Sequence, residues 1–181
     1  MQIKIDARGL GNLIKGLERM QKQIPAAIAR GLNEGGDKTR TQVQKALQKQ
    51  AGLVRYSSVT SRVKTKRAFA GEGGASAYEI RVSGKPTKMF EFKTQITNGP
   101  GGGVTAWLWN VAHKFKRSFE GSGRISGQLK MRTESPRLPM RSFDGPNLAK
   151  EAVKDESAKA FFATAETAVP AAVAKHLSKA L

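Results

Sequence analysis

From Leu10 onward the apolar residues Leu13, Ile14, Leu17, Met20 and Ile24 recur at steps of three and four, which places them on one stripe of an amphipathic helix over roughly residues 7–23. Pro25 suits the first turn of a second helix, because a helix start leaves that N–H unpaired in any case. Ile28, Leu32, Val43 and Leu47 carry the rhythm on to about Gln50, with the missing beat at Gly35-Gly36. Glycine inside a helix costs about 1 kcal/mol per residue relative to alanine, so the pair marks a kink or the close approach of another backbone. Gly52 ends that helix.

Between Val54 and Phe69 the pattern is mixed, with Val59 and Val63 four apart and Arg62, Lys64 and Lys66 alternating, which predicts a short helix followed by a strand. The run Gly71 to Gly74 reads as a turn. Residues 77–82 then alternate Tyr78, Ile80 and Val82 with Ala77, Glu79 and Arg81, as a half-buried strand does. A second strand is expected over Val104 to Val111, with Trp107, Trp109 and Val111 on one face, and a third over Gly127 to Thr133, carrying Leu129 and Met131. Gly121, Gly123 and Gly127 make the stretch Lys114 to Ser126 a long excursion from the sheet, able to meet a partner. After Arg137-Leu138-Pro139 and the turn at Gly145-Pro146, Phe162, Val169, Val173, Leu177 and Leu181 define a C-terminal helix that Pro170 kinks or breaks near Val169. The expected fold is α+β, a small antiparallel sheet packed with two N-terminal helices and a long C-terminal helix. One domain covers 1–181, helical over 1–53, sheet and loops over 54–146, helical again over 147–181.

A chain of 181 residues can bury a core. Charge changes the picture more: 32 Lys and Arg oppose 14 Asp and Glu, a formal +18. Residues 1–50, 51–100 and 101–150 each carry a net +6, whereas 151–181 are balanced, so the C-terminal segment presents a different surface. Such an excess attracts polyanions, a nucleic acid or an acidic protein face. Arg62, Lys64, Lys66 and Arg67 are the candidate DNA contacts, and Lys114, Phe115, Lys116, Arg117, Phe119 and Arg124 the candidate subunit-contact loop. Either cluster also fits the solvated face of a basic protein, and no base-reading motif accompanies them. The uncharged run Thr94 to His113 holds Gln95, Asn98, Pro100 and the run Gly101-Gly102-Gly103, so it reads as a loop feeding a strand and not as a membrane span. Met1 to Asp6 contain no apolar h-region, so a secretory route is not expected.

Reagents for catalysis are scarce. Cysteine is absent, and the two histidines, His113 and His176, have no partner at a metal-binding spacing, so neither an enzyme nor a metal or other cofactor is expected. Gly84-Lys85-Pro86-Thr87 fails as a phosphate loop, since Pro86 replaces the hydroxyl residue and Glu79 stands where the first glycine belongs. Trp107 and Trp109 could stack bases, but a small sheet needs large side chains for its core, and core packing is the favoured reading.

The order of segments resembles the phage minor tail protein Z family. The resemblance is carried by Arg30-Gly31-Leu32-Asn33, Thr39-Arg40-Thr41, Gly52-Leu53, Lys85-Pro86 with Phe90 to Phe92, and above all Arg137-Leu138-Pro139-Met140-Arg141 with Asp144-Gly145-Pro146, over nearly the full length. Gly103-Val104 matches a Gly-Val pair of the family, and Phe119 the phenylalanine that follows it. Gly31, Gly35-Gly36 and the stretch from Lys114 to Gly127 depart from the pattern. The resemblance implies a structural tail-completion protein of a phage or prophage, at the head-proximal end of the tail in the virion and in the host cytoplasm during assembly. It implies a homo-oligomeric ring, a hexamer, with tail terminator or tube and head-tail connector proteins as partners, no membrane, and the end of the packaged DNA held without sequence reading. Deleting Arg117 to Arg124 is then expected to leave the subunit folded. The competing expectation is a free basic nucleic-acid-binding protein with no virion role.

Overall fold

A computed structural model describes residues 8–71, 74–75, 77–99, 102–121, 128–133 and 138–180. The fold is α+β, with long helices at both ends and small antiparallel sheets between them. It divides into two compact units, one built from the chain up to residue 39, 65–79 and 163 onward, the other from 40–64 and 80–162.

Helix α1 runs from Arg8 to Ala51 as one element of 44 residues, with Pro25 inside it. The expected pair of N-terminal helices is therefore a single helix. Proline in a helix interior costs about 3 kcal/mol, but Pro25 is embedded among Ala26, Ala27 and Ala29, the strongest helix formers, and Ala27 and Ala29 are buried. Helix α4, Asp155–Leu177, likewise runs through Pro170 as one element, so of the expected kink or break the break does not occur; Pro170 stands between Ala168 and Ala171-Ala172.

In the first unit the two helices meet at Gly31 and Gly35. A Cβ built on Gly31 would lie 2.5 Å from the Val173 Cα, and one on Gly35 would lie 2.7 Å from the Val169 Cα. Only hydrogen fits there, which is the close backbone approach that the glycine pair predicts for Gly35. Its neighbour Gly36 faces the Tyr78 ring instead. Asn33 brackets Ala68, donating from Nδ2 to its carbonyl and accepting its N–H, both at 2.9 Å.

Gly52, at φ 78°, stops α1 as its position suggests. Helix α2 (Tyr56–Thr60) and strand β1 (Val63–Lys66) follow as predicted. Ala70–Gly71 (β2) and Gly74–Ala75 (β3) form a short antiparallel pair around the expected turn, whose residues 72 and 73 lie outside the described residues. Strand β4 (Glu79–Val82) pairs with β1.

The central sheet of the second unit is β5 (Thr94–Thr97), β6 (Gly103–Leu108) and β7 (Val111–Lys116) in that order. The start of the uncharged run is thus a strand and not a loop. Trp109 and Asn110, at φ 50° and 62°, form a two-residue hairpin turn of the primed kind that matches strand twist. The expected strand over Val104 to Val111 consequently ends at Leu108, and the residues facing the core are Val104, Ala106 and Leu108, the opposite parity from the tryptophans. Trp109 is 42% exposed and Trp107 half-buried under the Lys93 Nζ at 4.9 Å, which corrects their assignment to the core. A second sheet joins β8 (Ser118–Glu120), β9 (Leu129–Arg132) and β10 (Met140–Ser142). Leu47, Leu53, Met89, Phe92, Val104 and Leu148 anchor the core of this unit. Gln50 fixes the entry to α4: its Oε1 accepts from the Ser157 N–H at 3.0 Å and the Ser157 hydroxyl at 2.8 Å.

Candidate nucleic-acid interface

Helix α2 with its flanks and the segment 83–92 face each other across an open cleft of about 950 Å³ in the second unit. Five cations line it, Arg55, Arg62, Lys64, Lys85 and Lys88, together with four serines at 57, 58, 61 and 83 and the ring of Phe90, which is 51% exposed. Among the described residues one carboxylate lines it, that of Glu91.

Glu91 is neutralised in place. The Arg62 Nη2 donates to its Oε1 at 2.7 Å and Nη1 to its Oε2 at 2.8 Å, a bidentate pair whose side chains are only 16% and 10% exposed. Nη1 also donates to the Ser58 carbonyl at 2.8 Å, so Arg62 ties the C-terminal end of α2 to the turn Met89–Glu91. The other four cations have no carboxylate partner among the described residues, and they leave the cleft with a net positive face. The Lys88 Nζ lies 5.7 Å from the Phe90 ring centroid, a cation–π contact at the cleft wall.

The wall from 83 to 92 is held from behind. The Thr87 hydroxyl and N–H both donate to the Pro146 carbonyl, at 2.8 and 3.3 Å, and the Gly145 N–H donates to the Thr87 carbonyl at 2.6 Å. The Asn147 Nδ2 donates to the Gly84 carbonyl at 2.8 Å, while its Oδ1 caps the short helix α3 (Leu148–Glu151) through the Ala149 N–H at 2.9 Å. Gly145 and Pro146 thus set the position of Lys85 and Lys88.

The four basic residues first singled out are divided. Arg62 and Lys64 line the cleft, Arg62 as a half-buried brace and Lys64 on the exposed face of β1. Lys66 shares that face and comes within 3.9 Å of Glu79, and Arg67 pairs with Asp37 at 2.9 Å. Arg55, Lys85 and Lys88 were not among the candidates. A signal existed in Lys85 and Lys88 bracketing Pro86 ahead of Phe90, but as a failed phosphate loop it gave no reason to pair it with residues thirty positions earlier.

The stretch Lys114 to Ser126 is not one loop. Lys114, Phe115 and Lys116 lie in β7, Arg117 makes the turn at φ 60°, and Phe119 lies in β8; Arg124 and Arg137 fall outside the described residues. Phe115 packs on Phe143 at 5.1 Å between centroids, and the Arg132 guanidinium sits 5.3 Å from the Phe119 centroid. The buried Ser118 hydroxyl accepts from the Val104 N–H at 2.8 Å, so deleting Arg117 to Arg124 removes part of the core framework and the segment is not dispensable as expected. Leu138 and Pro139 are exposed, joined by a cis peptide bond.

A second charged cluster closes the first unit. Glu34 on α1 receives Lys175 at 3.0 Å, His176 at 2.9 Å and Lys38 at 3.2 Å. Hydrogen bonds from Lys175, His176 and Lys38, in that order of effect, draw its carboxyl down to about 2. The cluster clasps α1 to α4. Among the described residues no group of three or more His, Cys, Asp or Glu could hold a metal ion, and no helix is long and apolar enough to cross a membrane. No protein-family model, curated protein or solved structure matches this chain.

Proposed function

We propose that this chain is a structural tail-completion subunit of a phage or prophage that contacts the DNA end through its phosphate backbone at the cleft. The observation that carries the DNA contact is the cleft's charge: among the described residues Arg55, Lys64, Lys85 and Lys88 have no carboxylate partner, and the carboxylate that lines the cleft is held by Arg62. Cations of this kind neutralise phosphates without reading sequence, so affinity falls steeply with salt.

The tail role rests on the family resemblance. What supports it is that Asn33, Gly145 and Pro146, among the residues that carry the likeness, occupy the tight packing and turn positions of the fold, where a shared architecture constrains side chains most. In this reading the subunits form a sixfold ring between tail tube and head-tail connector, and the role is structural, not enzymatic. A head-to-tail ring needs two different faces per subunit.

Gold labelling of a tagged copy in particles purified from the source, viewed by electron microscopy, tests the reading. Label at the head-proximal end of tails is the expected outcome. Label missing from particles, with the protein recovered on nuclease-sensitive complexes, would overturn the tail role in favour of a free basic nucleic-acid-binding protein, for which the same cleft and the +18 charge would be sufficient.

A further inference from the structure

We infer that the cleft takes an unpaired nucleic-acid strand, with phosphates on Lys64, Lys85 and Lys88 and a base stacked on Phe90. The inference rests on the polyanion reading of the cleft and adds which form of nucleic acid enters it.

Three features carry it. The first is concavity with limited room: about 950 Å³ can take a few nucleotides of one strand, whereas a duplex, two strands thick with its bases paired between them, can only lie across such an opening. A duplex lying there shows the wall its outer phosphates and keeps its bases stacked inside. The second is Phe90. A phenylalanine ring half exposed to solvent beside cations gains nothing from phosphate, but offers a stacking face to any base that is not already paired. The third is the lining of serines at 57, 58, 61 and 83, neutral hydroxyls that can meet sugar and phosphate oxygens without selecting a base. Cations along a groove with an aromatic platform are the physical requirements for sequence-tolerant single-strand binding.

The wall is also pre-set. The hydrogen bonds of Thr87, Gly145 and Asn147 fix the segment of loop and 3-10 turn that carries Lys85, Lys88 and Phe90, so its position does not depend on a ligand. Little ordering of the wall is then required on binding.

The test is fluorescence anisotropy with the full chain, a short oligothymidylate and a duplex of equal length, over a salt series. The oligothymidylate is expected to bind more tightly than the duplex. Phe90→Ala should weaken oligothymidylate by roughly tenfold, the stacking contribution of one base, and leave the duplex unchanged. Phe90→Tyr, which keeps the ring, should retain the affinity, and this variant guards against a general effect of altering the cleft wall. Replacing Lys64, Lys85 and Lys88 together with Gln should lower the salt slope by about 2 for a single strand, about 0.7 per phosphate released. Equal affinity for duplex and oligothymidylate, with Phe90→Ala silent and the lysine variant weakened, would overturn the single-strand inference and leave the polyanion cleft standing. No effect of the lysine variant on either ligand would overturn both.

Discussion

Replacing Arg62 with Gln removes both guanidinium bonds to Glu91, at 2.7 and 2.8 Å, and the bond to the Ser58 carbonyl at 2.8 Å, and it leaves a carboxylate that is only 10% exposed without its cation. Breaking one side of a buried pair costs about 3–5 kcal/mol, and because this pair opens onto the cleft the lower end, about 3 kcal/mol, applies. For a chain of this length each kcal/mol moves the melting temperature by about 2–4 °C, so Arg62→Gln should melt about 6–12 °C lower. Arg62→Gln also unmasks Glu91, so the cleft loses one unit of positive charge and DNA affinity falls. The double variant Arg62→Gln, Glu91→Gln separates the two possible roles of Arg62. It removes one charge of each sign, restoring the cleft's net charge, and the two amides can hydrogen-bond to one another. Thermal melts by circular dichroism and DNA binding by anisotropy should therefore both return most of the way to the parent. A double variant that melts normally but still binds weakly would refute this reasoning and make Arg62 a direct phosphate contact.

Gly31→Ala should destabilise although alanine is the better helix former by about 1 kcal/mol. Its Cβ would meet the Val173 Cα at 2.5 Å and N at 2.8 Å, a clash with backbone that puts the overpacking at the upper end, about 3 kcal/mol, so that about 2 kcal/mol remains after the helix gain and a fall of about 4–8 °C is expected by circular dichroism. A rise would mean that α4 does not lie against Gly31. Glu34 gives the pH prediction. Its carboxyl is drawn from 4.5 to about 2 in the folded chain, so its contribution is complete above the ordinary carboxylate range and is lost as pH falls through that interval. Urea unfolding of the parent between pH 5 and 2, as an approximate window, should show stability falling with acid, and Glu34→Gln should flatten part of that fall; equal slopes in the two proteins would refute the clasp.

Much of the fold is legible locally because local causes produced it. Gly52 at positive φ ends α1, the change from spacing four to alternation separates α2 from β1, and Gly35 marks a backbone contact. Other features were decided by competition between levels. Pro25 and Pro170 are breakers by their own chemistry, yet the alanines around them and the packing of α1 on α4 keep both helices running. At the hairpin, Trp109 is not a turn residue by composition, so Trp107, Trp109 and Val111 imitate one continuous strand. The turn shows only in φ, with Asn110 the residue suited to it. The cleft was the least legible part. Arg62 and Lys64 were visible as a cluster, but their meaning depends on Lys85, Lys88 and Glu91, which the fold brings to the opposite wall. Charge along the chain does not distinguish a brace from a contact; the pairing with Glu91 does.

The turn at Trp109 and Asn110 has a consequence for the order in which the protein is made. A helix end leaves its last carbonyls unpaired, and two of those on α1 are met from this turn: the Asn110 Nδ2 donates to the Lys49 carbonyl at 2.9 Å, and the Trp109 N–H donates to the Ala51 carbonyl at 3.1 Å. The first of these bonds joins residues 61 positions apart. As the chain leaves the ribosome, α1 can wind early, but its final turn stays open to water until the hairpin has been synthesised and has closed on it. Leu47 and Ala51, fully buried in the finished protein, are exposed for that interval. Contacts this distant slow folding and leave apolar surface open to other chains. Helix α1 is thus completed by residues translated some 61 positions after its last turn.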